Sequence, residues 1–77
     1  MKFYVSFGQN HAHRVGGFTY DRDVLCEIDA PSHLEGREAA FKAFGPKWSF
    51  FYEAEELPDL LPYFPRGIHA LDPTVPR

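Results

Sequence analysis

Two histidines one residue apart, His11 and His13, are the first side chains in this sequence with the types and spacing for chemistry. In extended backbone, residues i and i+2 share a face. Both imidazoles could therefore turn toward one metal ion, with Asp21, Asp23 or His33 completing a zinc set. The pattern is weakly specific, because structural zinc sites draw on two recognisable ligand pairs and only the His-x-His is local here. The plainer reading is a pair of solvated loop histidines. A metal-binding or small-ligand domain built on His11 and His13 is the second functional reading of the chain.

Cys26 is the single cysteine. It alternates with Val24 and Ile28 on the expected inward face of a strand, where a thiol behaves as a small apolar group rather than a nucleophile. With no second cysteine there is no internal disulfide, which suits a reducing cytoplasm. Gly8, Gly16 and Gly17 match neither glycine spacing used to cradle phosphates. No nucleophile, base and orienting group can be set together from these residues, so the sequence points away from an enzyme and implies no cofactor.

Two other segments carry chemistry of recognition. Glu53, Glu55, Glu56 and Asp59 could imitate a phosphate backbone, although a short charge run of this kind normally forms a solvated turn. Tyr63-Phe64-Pro65-Arg66-Gly67 is more distinctive, since aromatic side chains with Arg are the composition of interface hot spots. The competing reading is a core-anchoring turn in which Phe64 packs inward and Arg66 covers it.

The elements that must position these residues are legible from periodicity. Phe3, Val5 and Phe7 alternate with Lys2, Tyr4 and Ser6, predicting a strand over 2–7; Val24, Cys26 and Ile28 predict a second over 23–29, antiparallel to the first. The sixteen residues from Gly8 to Asp23 form either a long functional loop or a backward extension of the second strand through a bulge at Gly16-Gly17.

A helix over 33–44 is bracketed by Ser32, with Glu35 at capping-box spacing, and by Gly45-Pro46. Leu34, Ala40, Phe41 and Phe44 are its expected sheet-facing stripe. Gly36 weakens the helix unless it permits close backbone approach. Residues 47–52, apolar on both faces, predict an interior strand and the best-buried one. Leu57 to Pro62 predict a short turn between prolines, 68–71 a last strand, and 72–77 a frayed tail.

The expected fold is a small α+β domain over 1–71 in β-β-α-β-β order. A four-stranded sheet is covered by one helix, leaving an open face that carries Tyr4, Leu25 and Phe51. Exposed apolar patches of that kind mark partner surfaces, and self-association into a homodimer is the simplest use.

At 77 residues the chain buries only about 60% of its unfolded surface. Eight Phe, four Tyr and one Trp supply the bulk that so small a core needs. A net charge of -3 and a pI of about 5.7 make nucleic acid a poor default partner. Neither a signal-peptide h-region nor an apolar run of membrane-spanning length is present.

Three segments, Lys2-Phe3-Tyr4-Val5-Ser6-Phe7-Gly8-Gln9, Phe44-Gly45-Pro46-Lys47-Trp48-Ser49-Phe50-Phe51-Tyr52 and Tyr63-Phe64-Pro65-Arg66-Gly67, occur in order across most of the chain. Together they resemble a group of small uncharacterised accessory proteins encoded by bacteriophages of actinobacteria. The His-rich, Gly-Gly stretch from His11 to Asp23 departs from the more Pro-rich loop of that group. The resemblance implies a non-virion protein of the infected bacterial cytoplasm that binds a host or defence protein and carries no catalytic residues. The leading expectation is therefore a non-enzymatic interaction module, docking through Tyr63, Phe64 and Arg66, through the sheet face with Tyr4 and Phe51, or through both.

Overall fold

The computed structural model describes residues 1–9, 12–15 and 17–71. His11, Gly16 and the 72–77 tail lie outside the described residues, and with them the expected metal ligand, bulge glycine and frayed end.

The chain folds as an α+β domain. Strand β1 (Lys2–Ser6) pairs antiparallel with β4 (Val24–Asp29), in the register Phe3 to Ile28 and Val5 to Cys26. On its other side β1 pairs antiparallel with β5 (Phe50–Glu53), Val5 facing Phe51. Strand β6 (Gly67–Ala70) adds parallel to β4, giving the order β5-β1-β4-β6. Because β4 and β5 both run against β1, they are parallel to each other, with β1 inserted between them. The helix α1 (His33–Phe44) makes that crossover.

Residues between β1 and β4 form neither a featureless loop nor an extension of β4. They make a hairpin, β2 (His13–Val15) against β3 (Phe18–Tyr20), closed by a tight turn at Gly17, whose φ of 78° suits glycine. The hairpin folds onto the end of the core. Tyr20 is 1% exposed, and its ring meets Phe7 at 5.5 Å and Phe44 at 5.2 Å.

The ends of α1 match the sequence reading. Ser32 Oγ accepts the Glu35 N–H at 3.2 Å, and Gly45 (φ 63°) turns the chain away while its N–H donates to Phe41 O at 2.8 Å. The buried face keeps Ala40 and Phe44 of the expected stripe, gains Gly36 and loses Leu34 and Phe41. Gly36, Ala40 and Phe44 are buried, whereas Leu34 is 66% and Phe41 48% exposed. The small residues win because they let the helix axis approach the sheet: a Cβ on Gly36 would stand 2.8 Å from Phe3 Cδ2 and 3.0 Å from Phe51 Cζ. Bulkier Leu34 and Phe41 are displaced to the flank.

Two expectations about the sheet are corrected. The strand read as interior and best buried is β5, an outer strand whose end residues Phe50 and Glu53 are exposed; the best-buried strands are β1 and β4. Its continuous apolar run has a different cause. Trp48 precedes the strand and packs on Phe41, Phe51 turns to the helix side against Phe3, and Phe50 and Tyr52 line the opposite face.

Nor is that opposite face open, since Tyr4 is 4%, Ser6 5% and Leu25 0% exposed. Strand β5 ends beside Phe3 while β6 begins beside Val24, at the other end of the sheet. The connection therefore has to run the length of that face. It does so as a 3-10 turn over 54–56, the short helix α2 (Leu57–Leu60) and a second 3-10 turn over 61–63.

Candidate functional site

The Tyr63–Gly67 segment is positioned by backbone bonds at its own turn and by its attachment to the sheet. Phe64 N–H donates to Leu61 O at 3.1 Å, Gly67 N–H to Phe64 O at 2.9 Å, and Arg66 N–H to Asp23 O at 2.9 Å. Prolines 58 and 62 sit at the starts of their helical turns, where a missing N–H costs little. The result delivers Tyr63 and Phe64 beside the end of β1 and the exposed side of β5.

A cleft of about 370 Å³ opens there. Phe50, Tyr52, Tyr63 and Phe64 supply its aromatic surface, and Ser6, Gln9, Arg22, Asp23 and Ser49 its polar groups, with Gly8 at the edge. Tyr63 is 77% and Phe50 63% exposed, and the Phe50 and Tyr52 rings lie 6.0 Å apart. Solvent-exposed aromatic rings beside an Arg and an Asp form a surface that can bury apolar area and fix polar register at once.

Arg66 does not join this surface. Its guanidinium donates to Thr19 O at 2.9 Å, pairs with Asp21 Oδ2 at 2.9 Å and lies 4.9 Å from the Phe18 ring centroid. His69 stacks on that same ring at 3.7 Å, nearly parallel. Arg66 thus clasps the β2–β3 hairpin to the start of β6. The anchoring reading of the segment holds for Arg66, although the ring it covers is Phe18 rather than Phe64. Asp21 also accepts the Asp23 N–H at 3.0 Å, and that bond, with Arg66 beside it, holds the Asp21 carboxyl below the usual carboxylate range.

The other two expected contact residues are built into the packing. Tyr4 is buried, and its hydroxyl donates to Glu27 Oε1 at 3.0 Å; burial first, and the Glu27 carboxylate second, push its pKa up. Phe51 is half-buried on the helix side, stacked on Phe3 at 5.1 Å, with the Arg37 guanidinium 5.9 Å from its centroid. The structure therefore brings Tyr63 and Phe64 together and separates them from Tyr4, Phe51 and Arg66.

Phe50 and Tyr52, which complete the cleft, alternate with Phe51. A strict period-2 reading puts them on one face, a signal hidden by reading the run as apolar on both sides. Arg22 and Gln9 carry no sequence signal and Asp23 reads in the sequence only as a metal co-ligand, since the aromatic residues they meet in the cleft are distant along the chain.

His13 bonds Lys47 O through Nε2 at 2.7 Å, with its ring 5.4 Å from Phe44 and 5.9 Å from Phe7, so it ties the hairpin to the chain after α1. Its proposed co-ligand His11 lies outside the described residues. Among the described residues no group of three or more His, Cys, Asp or Glu is placed to hold a metal ion. His33 sits edge-on to Phe3 at 5.7 Å. Cys26 is fully buried, and burial pushes its thiol up to about 12, the opposite of what a nucleophile requires.

The acidic residues Glu53, Glu55, Glu56 and Asp59 are all exposed, with Glu56 Oε2 accepting the Glu53 N–H at 2.9 Å. A larger cleft of about 450 Å³ between α1 and the sheet is lined by Ile28, Asp29, Glu35, Glu38, Ala39, Lys42 and Leu71, and gathers none of the expected recognition residues. No helix among the described residues is long and apolar enough to cross a membrane.

Comparison of the chain with protein-family models, with curated proteins and with solved structures returns no match.

Proposed function

We propose that this protein is a non-enzymatic binding module that engages a partner protein through the aromatic cleft formed by Phe50, Tyr52, Tyr63 and Phe64. The observation that carries the reading is the exposure of Tyr63 and Phe50 in the lining of one cleft, 77% and 63%, in a domain whose other aromatic side chains are mostly buried or half-buried. Aromatic residues displayed in this way, with Arg22 and Asp23 at the rim, match the composition of interface hot spots. The resemblance to accessory proteins of actinobacterial phages supplies the setting, a host or defence protein as partner in an infected cell.

The test is affinity capture from actinobacterial lysate with wild-type bait and with Tyr63→Ala and Phe50→Ala baits, each checked for folding by circular dichroism. One host protein retained at stoichiometric level by the wild type and lost by both variants supports the cleft as the site. Retention by folded variants overturns it. Arg66→Ala is unsuitable as a binding probe, because Arg66 holds the hairpin.

A further inference from the structure

Strand β5 is an outer strand, paired with β1 on one side and, among the described residues, with no strand on the other. A free strand edge is complementary to one thing above all, another extended backbone, and proteins usually blunt such edges with Lys, Pro or inward-pointing charge. Across Phe50–Tyr52 the sequence Phe-Phe-Tyr has none of these, and Phe50 is 63% exposed. A protective contact lies at the end of the strand, where Glu56 Oε2 takes the Glu53 N–H.

The residues flanking this edge are self-complementary under two-fold symmetry. Lys47 lies ahead of the strand, and Glu53 and Glu55 lie at and beyond its end. All three are exposed, and none takes part in an ion pair among the described residues.

We infer that two copies of this chain associate through antiparallel β5–β5 pairing centred on Phe51, extending the four-stranded sheet into one of eight strands. An isologous contact must match itself, and this one does. The basic end of each β5 falls beside the acidic end of the other, which brings Lys47 of each copy toward Glu53 and the 3-10 turn that carries Glu55 of its mate. Phe50 stands opposite Tyr52 on the same face, an aromatic cross-strand pair of the stabilising kind. Since the two-fold axis runs through the sheet, both aromatic clefts lie on one face of the dimer. Phe50 and Tyr52 serve both this association and the partner-binding cleft, so the two readings are told apart by Lys47 and Glu55, which lie outside the cleft and bear on association alone.

Sedimentation equilibrium across a wide concentration range tests it. The expected result is a monomer–dimer equilibrium that Phe50→Asp abolishes, that Lys47→Glu weakens several-fold by placing like charges together, and that the double variant Lys47→Glu/Glu55→Lys restores toward wild type. A wild-type chain monomeric at every concentration overturns the inference. So does a dimer indifferent to Phe50→Asp, or a charge-swapped variant no better than Lys47→Glu alone, with folding of each verified by circular dichroism.

Discussion

Gly36 and Phe3 are packed so closely that any side chain on the helix at that point would force a neighbour to shift: a Cβ on Gly36 would lie 2.8 Å from Phe3 Cδ2 and 3.0 Å from Phe51 Cζ. Phe3 is 1% exposed, so its ring can give way only by displacing other packed side chains. Replacing Gly by Ala in a helix interior ordinarily gains about 1 kcal/mol, whereas forcing extra volume into a packed core costs about 1–3 kcal/mol. Gly36→Ala is therefore expected to destabilise the fold by about 1 kcal/mol, read from the urea midpoint. A stabilised variant would show that the helix can ride outward freely.

Arg66 joins three parts of the hairpin region, with Thr19 O, Asp21 and the Phe18 ring as its partners. Arg66→Ala should cost about 1–2 kcal/mol through the lost charge-assisted bonds. Hydrogen exchange should locate the damage, with faster exchange in 13–20 and little change in β1 and β4. Arg66→Lys should recover only part, because a point ammonium cannot serve a carbonyl, a carboxylate and a ring together.

The same contact sets an acid dependence. Asp21 is held below the usual carboxylate range by the Asp23 N–H and by Arg66, so its folded value lies beneath its unfolded one. Such a group contributes stability that is complete above the ordinary carboxylate value of about 3.9 and is lost as pH falls through the lower folded value. Asp21→Asn should lower stability at neutral pH by no more than ~1 kcal/mol, as befits a partly exposed pair. The gap from wild type should close on acidification, as followed by thermal melts from neutral pH downward.

Cys26 is fully buried among Val24, Ile28 and the hairpin aromatics, with its thiol pushed up to about 12. Its reaction with a thiol reagent at neutral pH should follow opening of the fold, slow in native buffer and rapid in denaturant. Rapid stoichiometric labelling of the native protein would show that the core opens far more readily than this packing allows.

Ser32 supplies the N-cap bond to Glu35 N–H at 3.2 Å. Ser32→Ala should cost about 1 kcal/mol, the usual value of such a cap, while Ser32→Asp should retain most of it. Chemical denaturation of the three proteins side by side gives the comparison.

Local signals read correctly where the cause was local. The period-2 alternation of Phe3, Val5 and Phe7 marked β1, Val24 to Ile28 marked β4, and Ser32 and Gly45 bounded α1 at His33–Phe44, since a cap and a strand alternation depend on neighbours a few residues away. The segment around Tyr63 was visible by composition, yet its division of labour was not. Tyr63 faces the cleft while Arg66, three residues on, turns to Asp21 and Thr19, partners far back along the chain. Phe50 and Tyr52 were missed as cleft walls because burial on the two sides of β5 comes from different elements.

By itself, then, the sequence determined an α+β chain with one well-capped helix, two alternating strands and an aromatic-rich turn, because each of those rests on short-range backbone geometry and on hydrophobic period. Only the tertiary structure decided which helix face is buried, which strand lies at the sheet edge, what covers the second face, and which aromatic rings remain in solvent. Those outcomes depend on how closely backbones can approach across the fold. At Gly36 and Ala40 the absence of bulk, rather than the presence of hydrophobicity, selected the contact.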